Sequence, residues 1–297
     1  MKTPVRPNIS NASKRLTFEV EAINERGEAV PTPIAGEHPL TLYVDKREIV
    51  TLMTLGQAPE ALAIGYLRNQ RLVKSIEEIA AVQVDWETGS VAVATRKPIK
   101  SLQDKMKKRT VTTGCGQGTV FGDLMEEIDA IQLRNDVSLT EDALHAVLEA
   151  VRHEETVYKS AGAVHGCALV ANTAAAVKIL YFVEDVGRHN AVDAIAGQMW
   201  LDGVDGSDKI FYTTGRLTSE MIIKTVRMGI PILVSRSGFT AWGVELARKA
   251  GLTLIGRARG KRFVALSGAE RIVFDQDLAY VEEESMKHRR KGATKDD

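Results

Sequence analysis

Cysteine is nearly absent: Cys115 and Cys167 are the only two among 297 residues. Two thiols cannot make the disulfide framework of a small secreted scaffold, so the expected compartment is a reducing cytoplasm. Net charge is absent as well. Lys and Arg number 39 and Asp and Glu number 39, so the overall balance gives no pull toward nucleic acid or an anionic membrane surface. Any anion site must therefore be local. No run of 18 apolar residues occurs, which excludes a helical membrane span. The opening MKTPVRPNISNASKR lacks an apolar signal region.

What remains is the make-up of an ordinary globular protein, 44% hydrophobic and 26% charged. A core of useful size is available without a disulfide or metal staple. The length suits two domains or one large one. Residues 1–15 are polar and read as a mobile arm, and 281–297 as a charged, solvated tail. Residues 16–110 read as an N-terminal α+β domain. Its strand-like runs are LTFEVEAI, LTLYVDKREIVTLMTL, AAVQVDW and SVAVATR, with a helix at 59–70 that has Pro59 in its first turn. The stretch 100–111 is a basic, polar connector, and 111–137 holds the cysteine loop and a connecting helix.

Residues 138–280 form the expected C-terminal domain. A helix with Leu144, Val147, Leu148 and Val151 on one face comes first. Strands CALVA, VKILYFV, KIFYTT, PILVS and LTLIG then alternate with helices NAVDAIAGQMWL, TSEMIIKTVRM and TAWGVELARKA. This alternation predicts a parallel or mixed sheet with helices on both faces. Ligands gather beyond the carboxyl ends of the strands of such a sheet. Three loops there are rich in Gly and charge: EDVGRHN (184–190), TTGRLTS (213–219) and SRSGFT (235–240).

Each loop has two readings. In EDVGRHNAVD, Gly187 permits a sharp turn, and Asn190 is placed to cap the following helix with Asp193 three residues on. Arg188 could grip a phosphate or carboxylate and His189 could move a proton near neutral pH. Alternatively, Arg188 pairs with Glu184 or Asp185 and only fixes the turn. Gly215 and Arg216 offer the same choice between an anion site at a helix start and a capped loop with a solvated arginine. Arg257, Arg259, Lys261 and Arg262 in GRARGKR are either a polyanion site or a solvated charge run. His165, at a strand start, can face the same edge. Cys167 reads as a small packed hydrophobe.

Cys115 lies in VTTGCGQGT. Its glycines strip bulk from the backbone, allow close approach of a large reagent and leave amides free to stabilise a thiolate. The other reading is a cysteine packed in a linker. Zinc requires grouped Cys and His ligands. The deaminase pattern H-x-E with P-C-x-x-C is missing, and Gly118 stands where a C-x-x-C partner of Cys115 would be. No metal held directly by side chains is expected.

The segments EHPLTLYVDKREI, GCG, EDVGRHNAVD, TTGRLTSEMIIKTVRMGIPILVS and GLTLIG, in that order within 17–275, closely resemble the formate dehydrogenase accessory sulfurtransferases, the FdhD family. The resemblance implies a smaller N-terminal domain and a C-terminal three-layer α/β/α domain similar to cytidine deaminases, assembled as a homodimer. It implies that Cys115 accepts sulfur as a persulfide from a cysteine desulfurase. The sulfur then passes to Mo-bis(molybdopterin guanine dinucleotide), a bound substrate destined for formate dehydrogenase, the client. The resemblance implies cofactor contacts for Arg257, Ala258, Arg259, Gly260, Lys261 and Arg262. The residues themselves add Gly187, Arg188, His189, Asn190, Gly215 and Arg216 as pockets for the guanine nucleotide ends, and His165 facing the same site. The chain departs from the family at Gly118, where many relatives have a second cysteine, at Gln70 and Arg71, where Glu-Gly is usual, and at Phe239, often Pro. The competing class is a binding module, a chaperone that carries the molybdenum cofactor without sulfur chemistry.

Overall fold

A computed structural model describes residues 6–99, 131–172 and 177–274. The connector, the Cys115 loop and the charged tail lie outside the described residues. The first part contains β1 (Asn8–Ile9), β2 (Thr17–Ile23), β3 (Ala29–Ala35), β4 (His38–Val44), β5 (Arg47–Thr54), α1 (Pro59–Asn69), β6 (Ile79–Asp85) and β7 (Ser90–Thr95). Five strands make one sheet in the order β1-β6-β7-β4-β5, and β2 and β3 pair separately as an antiparallel ribbon. The long run 40–55 becomes a hairpin because Asp45 and Lys46 both take positive φ, 46° and 69°. This is the backbone of the tight turns whose twist matches that of paired strands. Alternate residues Leu40, Leu42 and Val44, with Val91 and Val93, are buried on one face. That is the period of two expected of a sheet with one covered side.

Helix α1 covers that face. Ten of its eleven residues are buried, which is the pattern of a helix enclosed on all sides. It packs on β6 and β7 and, on its other side, on a helix of the second part.

The second part contains β8 (Leu139–Thr140), α2 (Glu141–Glu154), α3 (Val157–Ala161), β9 (His165–Asn172), β10 (Val177–Asp185), α4 (Arg188–Asp202), β11 (Lys209–Thr213), α5 (Ser219–Arg227), β12 (Ile232–Ser235), α6 (Ala241–Lys249), β13 (Thr253–Arg259), β14 (Arg262–Ser267) and β15 (Ile272–Val273). Its main sheet runs β10-β9-β11-β12-β13-β14. Strands β11, β12 and β13 are mutually parallel, and the other pairings are antiparallel. Leu169, Phe211, Leu233 and Leu254 point into a core with α4, α5 and α6. Their neighbours Val170, Ile210, Ile232 and Ile255 pack with Leu144, Val147 and Val151 of α2 on the opposite face. The mixed α/β fold is therefore layered helix, sheet, helix in this part. No helix among the described residues is long and apolar enough to cross a membrane.

Two local expectations need correction, and β3 is a strand beyond those expected. The arm expected to be mobile is anchored from residue 8: β1 pairs with β6, and Glu60 accepts hydrogen bonds from Ser10 Oγ (2.6 Å) and Ala12 N (2.7 Å). Strand β3 forms despite Pro31 and Pro33, because a two-stranded ribbon leaves each strand an edge that needs no N–H donor. Helix α4 begins at Arg188, not Asn190, with Gly187 as its N-cap.

The two parts meet where α1 crosses α4. A Cβ added to Gly65 would lie 1.6 Å from the Asp193 carbonyl oxygen, and one added to Gly197 would lie 1.9 Å from that of Ala61. The helix backbones touch, which only glycine allows. Around the crossing, Arg68 Nη1 donates to Ala196 O (2.7 Å) and Asn69 Nδ2 to Asp193 Oδ1 (2.7 Å). Lys224 Nζ pairs with Asp193 Oδ2 at 2.8 Å inside the protein. One apolar core runs through the crossing, from Leu40 and Val91 to Phe211 and Leu254.

Gly197→Ala should therefore destabilise by roughly 3 kcal/mol or more through overpacking against backbone. Gly203→Ala, at φ 65° with nothing within 4 Å, should cost only about 1–2 kcal/mol of left-handed strain. Urea unfolding midpoints compare the two directly, and equal losses would remove the crossing from its structural role.

Candidate functional site

The strand register brings the loops singled out in the sequence to one sheet edge. His165 pairs with Asp185, Cys167 with Thr213, and Thr213 with Ser235. The start of β9 and the carboxyl ends of β10, β11 and β12 therefore lie side by side, where a parallel array presents ligand-binding loops. Backbone hydrogen bonds zip the loops together. Thr214 N donates to Gly166 O (2.9 Å), Leu217 N to Gly238 O (2.9 Å) and Arg257 N to Ser237 O (2.8 Å). Ser235 Oγ donates to Gly215 O (2.7 Å). Gly215 has no room for a side chain, because an added Cβ would fall 2.9 Å from Arg188 Cδ. Arg188 thus lies directly on the Gly215–Arg216 turn.

Within EDVGRHN, the acidic residues face inward and Arg188 pairs with neither. Asp185 Oδ2 accepts from Thr54 Oγ1 (2.5 Å) and Leu55 N (3.1 Å), and Oδ1 from Gly187 N (2.9 Å) and Asn190 Nδ2 (2.9 Å). Burial pushes this carboxyl above its usual range, against the pull of the four donors. Glu184 caps α3, accepting from the amides of Thr156, Val157 and Tyr158 at 2.9–3.1 Å. Asn190 was expected to cap its helix and bind cofactor. Instead its amide reaches Asp185 and the carbonyl of Met53 (2.7 Å), tying β5 to α4. Asn190 is 3% exposed, so its side chain cannot touch a large ligand.

The edge itself is cationic. Arg188 Nε is buried without a hydrogen-bond partner, a costly state that a bound anion would relieve. Arg216 is exposed beside it. Arg236, in the third loop, pairs with Glu155 at 2.8 Å and stacks on Tyr158, 4.6 Å from the ring centre. Arg257 stacks on Phe239 at 5.2 Å, so the departure from the family at 239 supplies a ring. The RARGKR stretch is the β13–β14 hairpin and not a plain loop. Arg259 and Arg262 face each other across it, and Arg259 Nε donates to Arg236 O (3.3 Å). Gly260, at φ 56°, forms the tip with Lys261. Ala258 is buried and offers only backbone. Arg236, Tyr158 and Glu155 were not among the expected site residues. The signal for Arg236 was present, since its loop repeats the strand–polar–Gly pattern of the other two.

The two histidines differ. His165 is half-buried, with Nδ1 3.4 Å from Thr214 Oγ1. Burial, then Arg188, Arg236 and Arg216, lower its pKa. His189 lies beneath the edge at 2% exposure. Glu220 Oε2 is 3.1 Å from its Nε2 but too bent for a hydrogen bond, and both ring nitrogens lack partners. The carboxylate alone would favour imidazolium. Burial and the surrounding Lys224, Arg188, His165 and Arg216 outweigh it and lower the pKa to about 2. His189 is a neutral supporting ring and not a surface ligand.

Cys167 matches its reading as a packed hydrophobe. It is fully buried, donates to Thr213 Oγ1 at 3.3 Å, and burial pushes its thiol up to about 12. It stays protonated and unreactive at neutral pH. Cys115 lies outside the described residues. No group of three or more His, Cys, Asp or Glu suited to a metal occurs among the described residues.

Comparison with known proteins places this arrangement in context. A family model described as the FdhD/NarQ family matches residues 35–273. The chain is 30% identical to the sulfur carrier protein FdhD of Listeria monocytogenes serotype 4b (strain F2365), covering 89% of this chain and 99% of that one. It is 29% identical to the sulfur carrier protein FdhD of Bacillus subtilis (strain 168), covering 84% and 94%. A crystal structure from Desulfotalea psychrophila, described as a formate dehydrogenase accessory protein, aligns with TM-score 0.68 at 28% identity over 86% of this chain and 98% of that one.

The buried neutral His189 sets a pH dependence. Between its unfolded value of 6.5 and its folded value of about 2, the unfolded state binds the extra proton, so stability falls as pH falls. The slope from this residue is about 1.4 kcal/mol per pH unit. Unfolding free energy measured from pH 7 to pH 5 should drop about 2 kcal/mol less in His189→Asn than in the wild type. Parallel profiles would mean that the ring is protonated in the fold.

Proposed function

Because the chain belongs to the FdhD/NarQ family, we propose that it is a sulfur carrier for formate dehydrogenase maturation, working as a sulfurtransferase with Cys115 as its thiol. The observation that carries this reading is that the family match, residues 35–273, spans both Cys115 and the arginine edge, while Cys167, the only other thiol, is sealed in the core. Relatives named as sulfur carrier proteins support it. In the first step, the Cys115 thiolate attacks the outer sulfur of a persulfide on a cysteine desulfurase. A new S–S bond forms on Cys115, the donor's S–S bond breaks, and the donor leaves as thiolate. The outer sulfur would then pass to Mo-bis(molybdopterin guanine dinucleotide), the substrate that the resemblance implies: the S–S bond on Cys115 breaks, Cys115 leaves as thiolate, and the metal of the substrate supplies the two electrons that bring the sulfur to the sulfide level.

The edge is suited to that substrate. Its guanine nucleotide ends carry phosphates, and Arg188, Arg216, Arg257 and Arg259 offer planar forks that match phosphate oxygens. The acidic residues of the same loops are turned inward or paired, so they do not compete. In this reading the protein acts in the cytoplasm as a homodimer, with the desulfurase as donor and formate dehydrogenase as client.

Intact mass after incubation with a cysteine desulfurase and cysteine should show one added sulfur atom on the wild type and none on Cys115→Ala. The variant should keep nucleotide binding and leave formate dehydrogenase inactive. Full dehydrogenase activity with Cys115→Ala would instead favour a carrier of the cofactor without sulfur chemistry.

The double variant Arg259→Ala/Arg262→Ala should bind guanosine diphosphate more weakly. Its deficit should shrink as salt rises from 50 mM to 500 mM, because screening already weakens the wild type. Unchanged affinity at low salt would move the phosphate contacts away from the hairpin.

A further inference from the structure

His165 stands in a setting that its role as one more lining residue does not explain. It opens β9, with Asp185 opposite on β10 and Thr214 next to it at the end of β11. Thr214 Oγ1 accepts a hydrogen bond from Gly166 N at 3.0 Å. Its hydroxyl proton is therefore free to turn toward His165 Nδ1, 3.4 Å away. A hydroxyl has one donor and two acceptor positions. It can donate to Nδ1 of the neutral ring, or rotate and accept from Nδ1–H of the charged one. Nδ1 thus has a partner in either state, and among the described residues Nε2 has none.

The charges around the ring are of one sign. Arg188 comes from α4, Arg216 from the loop after β11 and Arg236 from the loop after β12, with Arg257 and Arg259 on β13 beyond them. The carboxylates on the neighbouring elements are engaged elsewhere. Asp185 accepts from Thr54, Leu55, Gly187 and Asn190, Glu184 caps α3, and Glu155 holds Arg236. Beneath the edge, Glu220 and Lys224 flank His189. Burial first, and then the guanidiniums of Arg188, Arg236 and Arg216, hold the pKa of His165 below its ordinary value. An anion that settles among them cancels that repulsion and adds an attractive partner for Nε2–H.

We propose that His165 is a proton-acquiring ligand of this edge: a phosphate-type anion bound by Arg188, Arg216 and Arg236 draws a proton onto His165 and is held by the imidazolium as well as by the guanidiniums. The inference rests on the reading of the edge as a phosphate site. By linkage, binding takes up close to one proton and tightens by up to about tenfold for each pH unit lowered within the range between the free and bound pKa values of the ring. The residue would act as a specificity element, favouring ligands with enough negative charge to recharge it.

Calorimetric titration of the full chain with guanosine diphosphate at pH 7, in buffers of different ionisation enthalpy, reads the proton number directly. The wild type should take up a proton, and His165→Asn should bind more weakly below pH 7 and lose that uptake. The nucleotide's own protonation cancels between the two. His165→Gln is the second variant should the first fail to fold, and the difference in proton number between the wild type and the variant that folds decides. Nucleotide binding with the same proton number in the wild type and in His165→Asn overturns the role of His165 and leaves the phosphate edge standing. Uptake that disappears in His189→Asn and not in His165→Asn also overturns it. An absence of binding at every pH overturns the phosphate reading itself, and this inference with it.

Discussion

The fold depends on the contact between α1 and α4, where Gly65 and Gly197 bring two helix backbones together with no side chain between them. That approach sets the distance between the five-stranded sheet and the six-stranded one. It brings the end of β5 to the start of α4, so that Thr54, Leu55 and the carbonyl of Met53 reach Asp185 and Asn190. Spreading the helices by one methyl group would pull on these bonds first. They fix the angle at which the chain leaves β10, and that angle aims Arg188 over Gly215.

A division of labour within the EDVGRHN segment follows. Glu184, Asp185 and Asn190 face inward and are satisfied largely by backbone amides, an alcohol and a carboxamide. These neutral donors occupy the carboxylate oxygens, so neither carboxyl forms an ion pair with Arg188. A chain with no net charge thereby keeps a positive edge. Had Arg188 paired with Asp185, the turn would have been held equally well and the edge would have lost its field.

Much of this was legible from sequence. The strand-like run LTLYVDKREIVTLMTL, Pro59 ahead of an apolar helix and the strand–helix alternation after 160 each reflect local burial, and each formed where expected. The loops at one edge followed from that alternation. What the sequence concealed lay in long-range partners. Asn190 has the composition of a helix cap, but its amide is claimed by Met53, 137 positions earlier. The prolines of β3 argue against a strand until the strand is known to have a free edge. Arg236 looked like loop charge because Glu155 and Tyr158, which hold it, are about 80 residues upstream. The apolar stripe of α1 gave no hint of its second interface, because a glycine in a helix reads as a local weakness and not as a contact.

That second interface bears on how the chain reaches its native state. Asn69 bonds to a residue 124 positions later, and Thr54 to one 131 positions later. During synthesis, α1 emerges with ten residues destined for burial and only the β6–β7 side of its surroundings close at hand. Its other wall does not exist until α4 has been made. Closing so wide a gap in the chain delays the reward for ordering either half. The amino-terminal half therefore spends its early life as a nascent chain with an uncovered apolar helix, a natural client for the chaperones that wait at the ribosome exit.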